Sequence, residues 1–158
     1  MENDILLSIS GVQDAAGSTE IITAGHYYFR NGKHYLTYEE ESDTGKVTRN
    51  VIKIARDRVD VIRSGENRSR ILFEKGEKSL ADYPTPVGSM ALDISTEDID
   101  VEESADRIEA EIRYSLAMEG VFISDCRVKI RAMEKEGADL DLLARKDNEA
   151  GSPAGRNA

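Results

Sequence analysis

Between Ile108 and Met118 the chain alternates residue by residue: Ile108, Ala110, Ile112, Tyr114, Leu116 and Met118 share one parity, and Glu109, Glu111, Arg113 and Ser115 fall between them. Successive side chains of a strand point to opposite faces, so this pattern predicts a long half-buried β-strand and excludes an amphipathic helix. The alternation continues past Glu119-Gly120 through Val121 and Ile123. It then slips by one residue around Ser124-Asp125 before resuming at Cys126, Val128 and Ile130. An extra residue accommodated as a β-bulge is the simplest cause.

The same period of two recurs upstream in short runs bounded by Gly, Asn, Asp and Pro, which is how antiparallel strands read. Strands are expected at residues 5–10, 20–29, 34–42, 47–55, 58–64, 69–75, 80–83, 89–94 and 98–102. So many strands with short connections exceed a stable flat sheet and are expected either to curl into a barrel or to split into a sandwich to hide their edges, the barrel being preferred. The expected fold is all-β: one closed antiparallel barrel of about 8–10 strands over residues 1–133. Residues 134–158 are charged and rich in small residues, ending Gly-Ser-Pro-Ala-Gly-Arg-Asn-Ala, and are expected to form a short disordered tail.

Two turns fix the pairing in detail. Asn31-Gly32 tolerates the positive φ at both central positions that a type I′ hairpin needs. It predicts Phe29 opposite His34, Tyr28 opposite Tyr35, Tyr27 opposite Leu36 and Gly25 opposite Tyr38. The more apolar face, expected to point inward, carries Ile21, Thr23, Gly25, Tyr27, Phe29, His34, Leu36, Tyr38 and Glu40. A second hairpin turning at Arg56-Asp57 sets Ile54 against Val59, Ile52 against Val61 and Asn50 against Arg63. Glu40 and Arg63 therefore interrupt two inward faces with opposite charges. Burying either alone would cost several kcal/mol, which a hydrogen-bonded pair offsets, so the two are expected to meet inside the barrel or at its mouth.

Composition removes several function classes. With 31 acidic and 21 basic residues the net charge is −10, which repels nucleic acid and anionic membrane surfaces, and no basic patch reverses it locally. Cys126 is the single cysteine, so no intrachain disulfide forms. With no export signal at Met1-Glu2-Asn3-Asp4 and no apolar run long enough to span a membrane, the expectation is a soluble, cytoplasmic chain. His26 and His34 differ in parity and project from opposite faces, so they cannot share a metal. Within Glu39-Glu40-Glu41 adjacent carboxylates also diverge, and at most Glu39 and Glu41 share a face. No nucleophile–base pair emerges, so no catalytic residue, metal or cofactor is assigned.

The ordered set Leu36-Thr37-Tyr38-Glu39-Glu40, Ile62-Arg63-Ser64-Gly65, Tyr83 with Thr85-Pro86-Val87-Gly88, and Tyr114 resembles the YwiB-like family of uncharacterised bacterial proteins, over roughly residues 5–131. The resemblance implies a calycin-like barrel and no established activity. Such an architecture suggests a non-enzymatic module that binds a small molecule or peptide in its interior or mouth. Tyr38, Glu40, Arg63 and Tyr114 are its candidate ligand-binding residues, with Arg63 as an anion anchor and the aromatics as walls. The alternative is a solidly packed interaction module, with a protein partner or as a homodimer, using an outer face marked by Tyr28 and Tyr35.

Overall fold

The computed structural model describes residues 4–13, 17–65 and 68–135, with side chains at 83–85 excepted. Among the described residues, ten strands follow one another without an intervening helix. They are β1 (Asp4–Gln13), β2 (Gly17–Arg30), β3 (Lys33–Glu41), β4 (Val47–Ala55), β5 (Arg58–Gly65), β6 (Ser69–Glu74), β7 (Lys78–Thr85), β8 (Gly88–Ser104), β9 (Arg107–Met118) and β10 (Val121–Glu134). All pair antiparallel in one sheet of order β6-β5-β4-β3-β2-β1-β10-β9-β8-β7. The two edge strands come back together, giving a nearly closed barrel. Across that seam a side chain replaces the backbone ladder: Ser79 Oγ donates to Leu72 O at 2.6 Å. At the adjoining turn Gly76 N donates to Thr96 O and Thr96 N to Glu77 O.

Both predicted hairpins form in the expected register. Asn31 and Gly32 have φ of 53° and 75°, and the β2–β3 ladder runs from Arg30–Lys33 to His26–Thr37. It stops one pair short of the expected Gly25–Tyr38, because from Gly25 onward β2 remains bonded to β1 and leaves β3. The backbones nevertheless stay close there, and a Cβ on Gly25 would lie 2.5 Å from Thr37 O. The β4–β5 hairpin places Asn50 opposite Arg63, as its turn predicts. The bulge in β10 falls between Phe122 and Ser124, beside the predicted slip.

Three expectations need correction. The runs at 89–94 and 98–102 are one strand, β8, whose register shifts between Thr96 and Asp98. The parity slip that resembled a chain reversal is a second bulge. Phe29 and Ile21 share the inward phase but are 49% and 41% exposed: Phe29 lies beside the turn at the end of β2, and Ile21 lies where β2 no longer pairs with β3. The expected tail lies, from residue 136 on, outside the described residues, and Glu134 belongs to β10.

Burial is unequal along the barrel. The most deeply buried side chains, among them Ile5, Leu7, Leu36, Ile54, Val59, Ile108 and Ile112, lie toward the end carrying the Asn31-Gly32 and Arg56-Asp57 turns. Toward the other end Ile9, Tyr38, Val61, Ile71, Tyr114 and Val128 are only partly buried. Packing is therefore dense at one end and loose at the other. Adding a methyl at the close approach of β2 and β3 should be felt directly. Gly25→Ala is expected to cost about 1–3 kcal/mol in chemical denaturation, and an unchanged midpoint would show that the strands separate freely there.

Candidate functional site

Register aligns inward residues of β3, β4, β5 and β6 into rows. One row reads Tyr38, Asn50, Arg63 and Ser69, each paired with the next. One step deeper lies Leu36, Ile52, Val61 and Ile71, and below that His34, Ile54, Val59 and Phe73. The rim is thus polar and the depth mostly apolar, a layering that follows from the period of two.

Glu40, two residues beyond Tyr38 on the same face, turns this row into a closed triangle. Arg63 Nη2 donates to Glu40 Oε1 at 2.6 Å. Arg63 Nε donates to Asn50 Oδ1, and Asn50 Nδ2 to Glu40 Oε1, each at 3.1 Å. The bonding of both amide atoms fixes the orientation of Asn50, which is 1% exposed. The predicted meeting of Glu40 and Arg63 is therefore present, with their side chains 37% and 39% exposed, at the mouth rather than deep inside.

Tyr38, Glu40, Arg63 and Tyr114 all line one cavity of about 460 Å³. Its apolar wall includes Ile9, Ile52, Val61, Ile71, Phe73 and Val128. Tyr114 reaches it from β9 and packs against Phe73, ring centroids 4.8 Å apart. Burial, with Cys126 beside it adding by charge and hydrogen bonding, pushes the Tyr114 hydroxyl up to about 12. Tyr38 is also raised, first by burial and then by the Glu40 carboxylate, with Arg63 opposing.

Sequence reasoning missed Asn50, Arg68 and Phe73 as parts of this wall. For Asn50 a signal existed: it shares the parity of Ile52 and Ile54, so a polar group stood at an inward position just as Glu40 and Arg63 did. Arg68 lies at the strand entrance, where parity carries little information.

The remaining candidates lie elsewhere. His26 is exposed and pairs with Asp4 at 2.9 Å. His34 is buried, with Nδ1 2.7 Å from the Tyr27 hydroxyl and Nε2 3.2 Å from Glu103. Their opposite projection is as expected. Glu39 faces outward onto Arg49. Tyr28 and Tyr35 stack at 4.7 Å, with Arg30 over the first ring and Lys53 over the second. No helix among the described residues is long and apolar enough to cross a membrane.

Fold and cavity together define a small antiparallel β-barrel with one packed end and one polar-rimmed end. The chain belongs to the family described as a domain of unknown function, DUF1934, which matches residues 7–130. It is 36% identical over 112 residues to the uncharacterised β-barrel protein YwiB of Bacillus subtilis, covering 68% of this chain and 78% of that one. The crystal structure of the B. subtilis ywiB protein superposes with a TM-score of 0.72 at 26% identity, covering 84% of this chain and 92% of that one.

Two measurements test the site's physics. Arg63→Met leaves the Asn50 Oδ1 acceptor unpaired and strips Glu40 of its cation, with only the Asn50 amide still donating to it, and is expected to destabilise by about 1–2 kcal/mol. A double-mutant cycle with Glu40→Gln should give a coupling near ~1 kcal/mol, reduced by partial exposure; strict additivity would contradict the triangle. Separately, phenolate absorbance should show one tyrosine titrating near 12, lost in Tyr114→Phe. The folded chain holds that proton more tightly than the unfolded one. Its stabilising contribution is therefore complete below the ordinary tyrosine range and disappears as pH rises through about 12.

Proposed function

We propose that this chain is a non-enzymatic, cytoplasmic binding module that takes a small molecule into the loosely packed half of its barrel. The observation that carries this reading is the cavity itself. At about 460 Å³ it falls within the roughly 300–1,000 Å³ of small-molecule sites, and it has their usual make-up of apolar walls with a few convergent polar groups. A calycin-like architecture fits the reading, since even eight strands enclose enough space for one small ligand. Ten give more.

The chemistry at the rim favours binding over turnover. Glu40 already accepts from both Arg63 and Asn50, so its carboxylate is held as a structural acceptor rather than as a base directed into the cavity. Tyr38 and Tyr114, both shifted upward, remain protonated at neutral pH and offer hydroxyls and ring faces. Association through the outer face draws less support, because Tyr28 and Tyr35 are stacked on one another and each lies beneath a cation.

Filling the space should abolish binding. The wild-type chain is expected to take up one equivalent of a neutral solvatochromic dye with a blue-shifted emission, and Val61→Trp should lose that uptake. The variant should remain folded, because overpacking costs about 1–3 kcal/mol against a typical domain stability of about 5–15 kcal/mol. No uptake by the wild type, or unchanged uptake by a folded variant, would refute the reading.

A further inference from the structure

The distribution of hydrogen-bond donors at the rim goes one step beyond a generic cavity. A guanidinium carries five N–H donors in a planar fork. Arg63 uses the Nε and Nη2 side of its fork for Asn50 and Glu40; among the described residues its Nη1 has no acceptor. Arg68 lines the same cavity and, among the described residues, pairs with no carboxylate. Both arginines also line the open gap between β6 and β7, with Asp82 on the β7 side. Of the two carboxylates on the cavity wall, Glu40 is already bonded to Arg63 and Asn50, leaving Asp82 as the counter-charge across the gap. Cationic donors therefore converge on one side of the rim, directly above the apolar rows of Ile52, Val61 and Ile71 and of Phe73.

We propose that the ligand is an amphiphile with a single carboxylate on an apolar chain, its head held between Arg63 and Arg68 and its chain lying against Val61, Ile71 and Phe73. This rests on the interior being a ligand site, and adds the ligand's charge and polarity. A planar carboxylate matches the free edge of the Arg63 fork. A second negative charge on the head would face Glu40 and Asp82 uncompensated, which favours a monoanion. A cationic head would meet two guanidinium groups first.

Binding of decanoate, 1-decanol and decyltrimethylammonium to the full chain, read by displacement of the neutral dye and by calorimetry, tests this. Decanoate is expected to bind about tenfold or more tighter than decanol, the scale of a charge-assisted hydrogen bond, with the ammonium weakest. Arg68→Met, an exposed position, should remove most of that preference by weakening decanoate far more than decanol. Arg63→Lys, which keeps the charge beside Glu40 and loses the fork, should weaken decanoate in the same direction. Equal binding of decanoate and decanol, tighter binding of the ammonium, or a preference untouched by Arg68→Met would overturn the proposal. If none of the three displaces a dye that does bind, the ligand class is wrong and the binding reading stands. If the dye does not bind either, both fall.

Discussion

A barrel's width grows with its number of strands, and the side chains pointing inward must fill whatever width results. Ten strands set a wide interior here, and the chain supplies little to fill it: there is no Trp, aromatics make up 6% of residues, and buried inward positions include Ala81, Ala110 and Ala132. The available bulk is gathered at one end, where isoleucine and leucine side chains meet across the barrel. The other end is left with space. Packing at native density throughout would need larger residues at Val61, Ile71 or Val128, and none is present.

The polar row follows from that vacancy. Positions at the mouth are partly solvated, so Tyr38, Asn50, Arg63 and Glu40 lie where charged groups lose less hydration than they would below. Asn50, the most buried of them, is the group whose isolation would cost most, and both of its amide atoms are bonded. Its neighbours therefore hold fixed positions. A rim ordered in this way keeps the guanidinium fork of Arg63 in one orientation, which is the precondition for discriminating head groups above an apolar cavity.

Much of this was legible in the sequence. Period-two alternation located the strands, Asn31-Gly32 fixed the β2–β3 register, and the phases of Glu40 and Arg63 foretold their contact. What failed did so for local physical reasons. A bulge and a turn both break parity, so the irregularity at Thr96–Asp98 resembled a strand boundary. Parity also assigns a face but not a depth, which is why Phe29 and Ile21 are more exposed than their phase implied. Asn50 had the right phase and register to be included with Glu40 and Arg63; only its neutrality kept it from standing out. Cavity volume depends on side chains from nonadjacent strands, such as Phe73 on β6 and Tyr114 on β9, whose meeting no short-range pattern encodes.

The central claim is that the polar-rimmed half of this barrel is a guest space rather than a core. A crystal structure of the full chain, purified without any step that strips bound molecules, measures this most directly. The expected result is an ordered Glu40–Asn50–Arg63 triangle above electron density for a non-protein molecule lying against Val61, Ile71 and Phe73. An interior closed by its own side chains, with Phe73 and Tyr114 collapsed onto Ile52 and Ile130 and no space left between them, would contradict it.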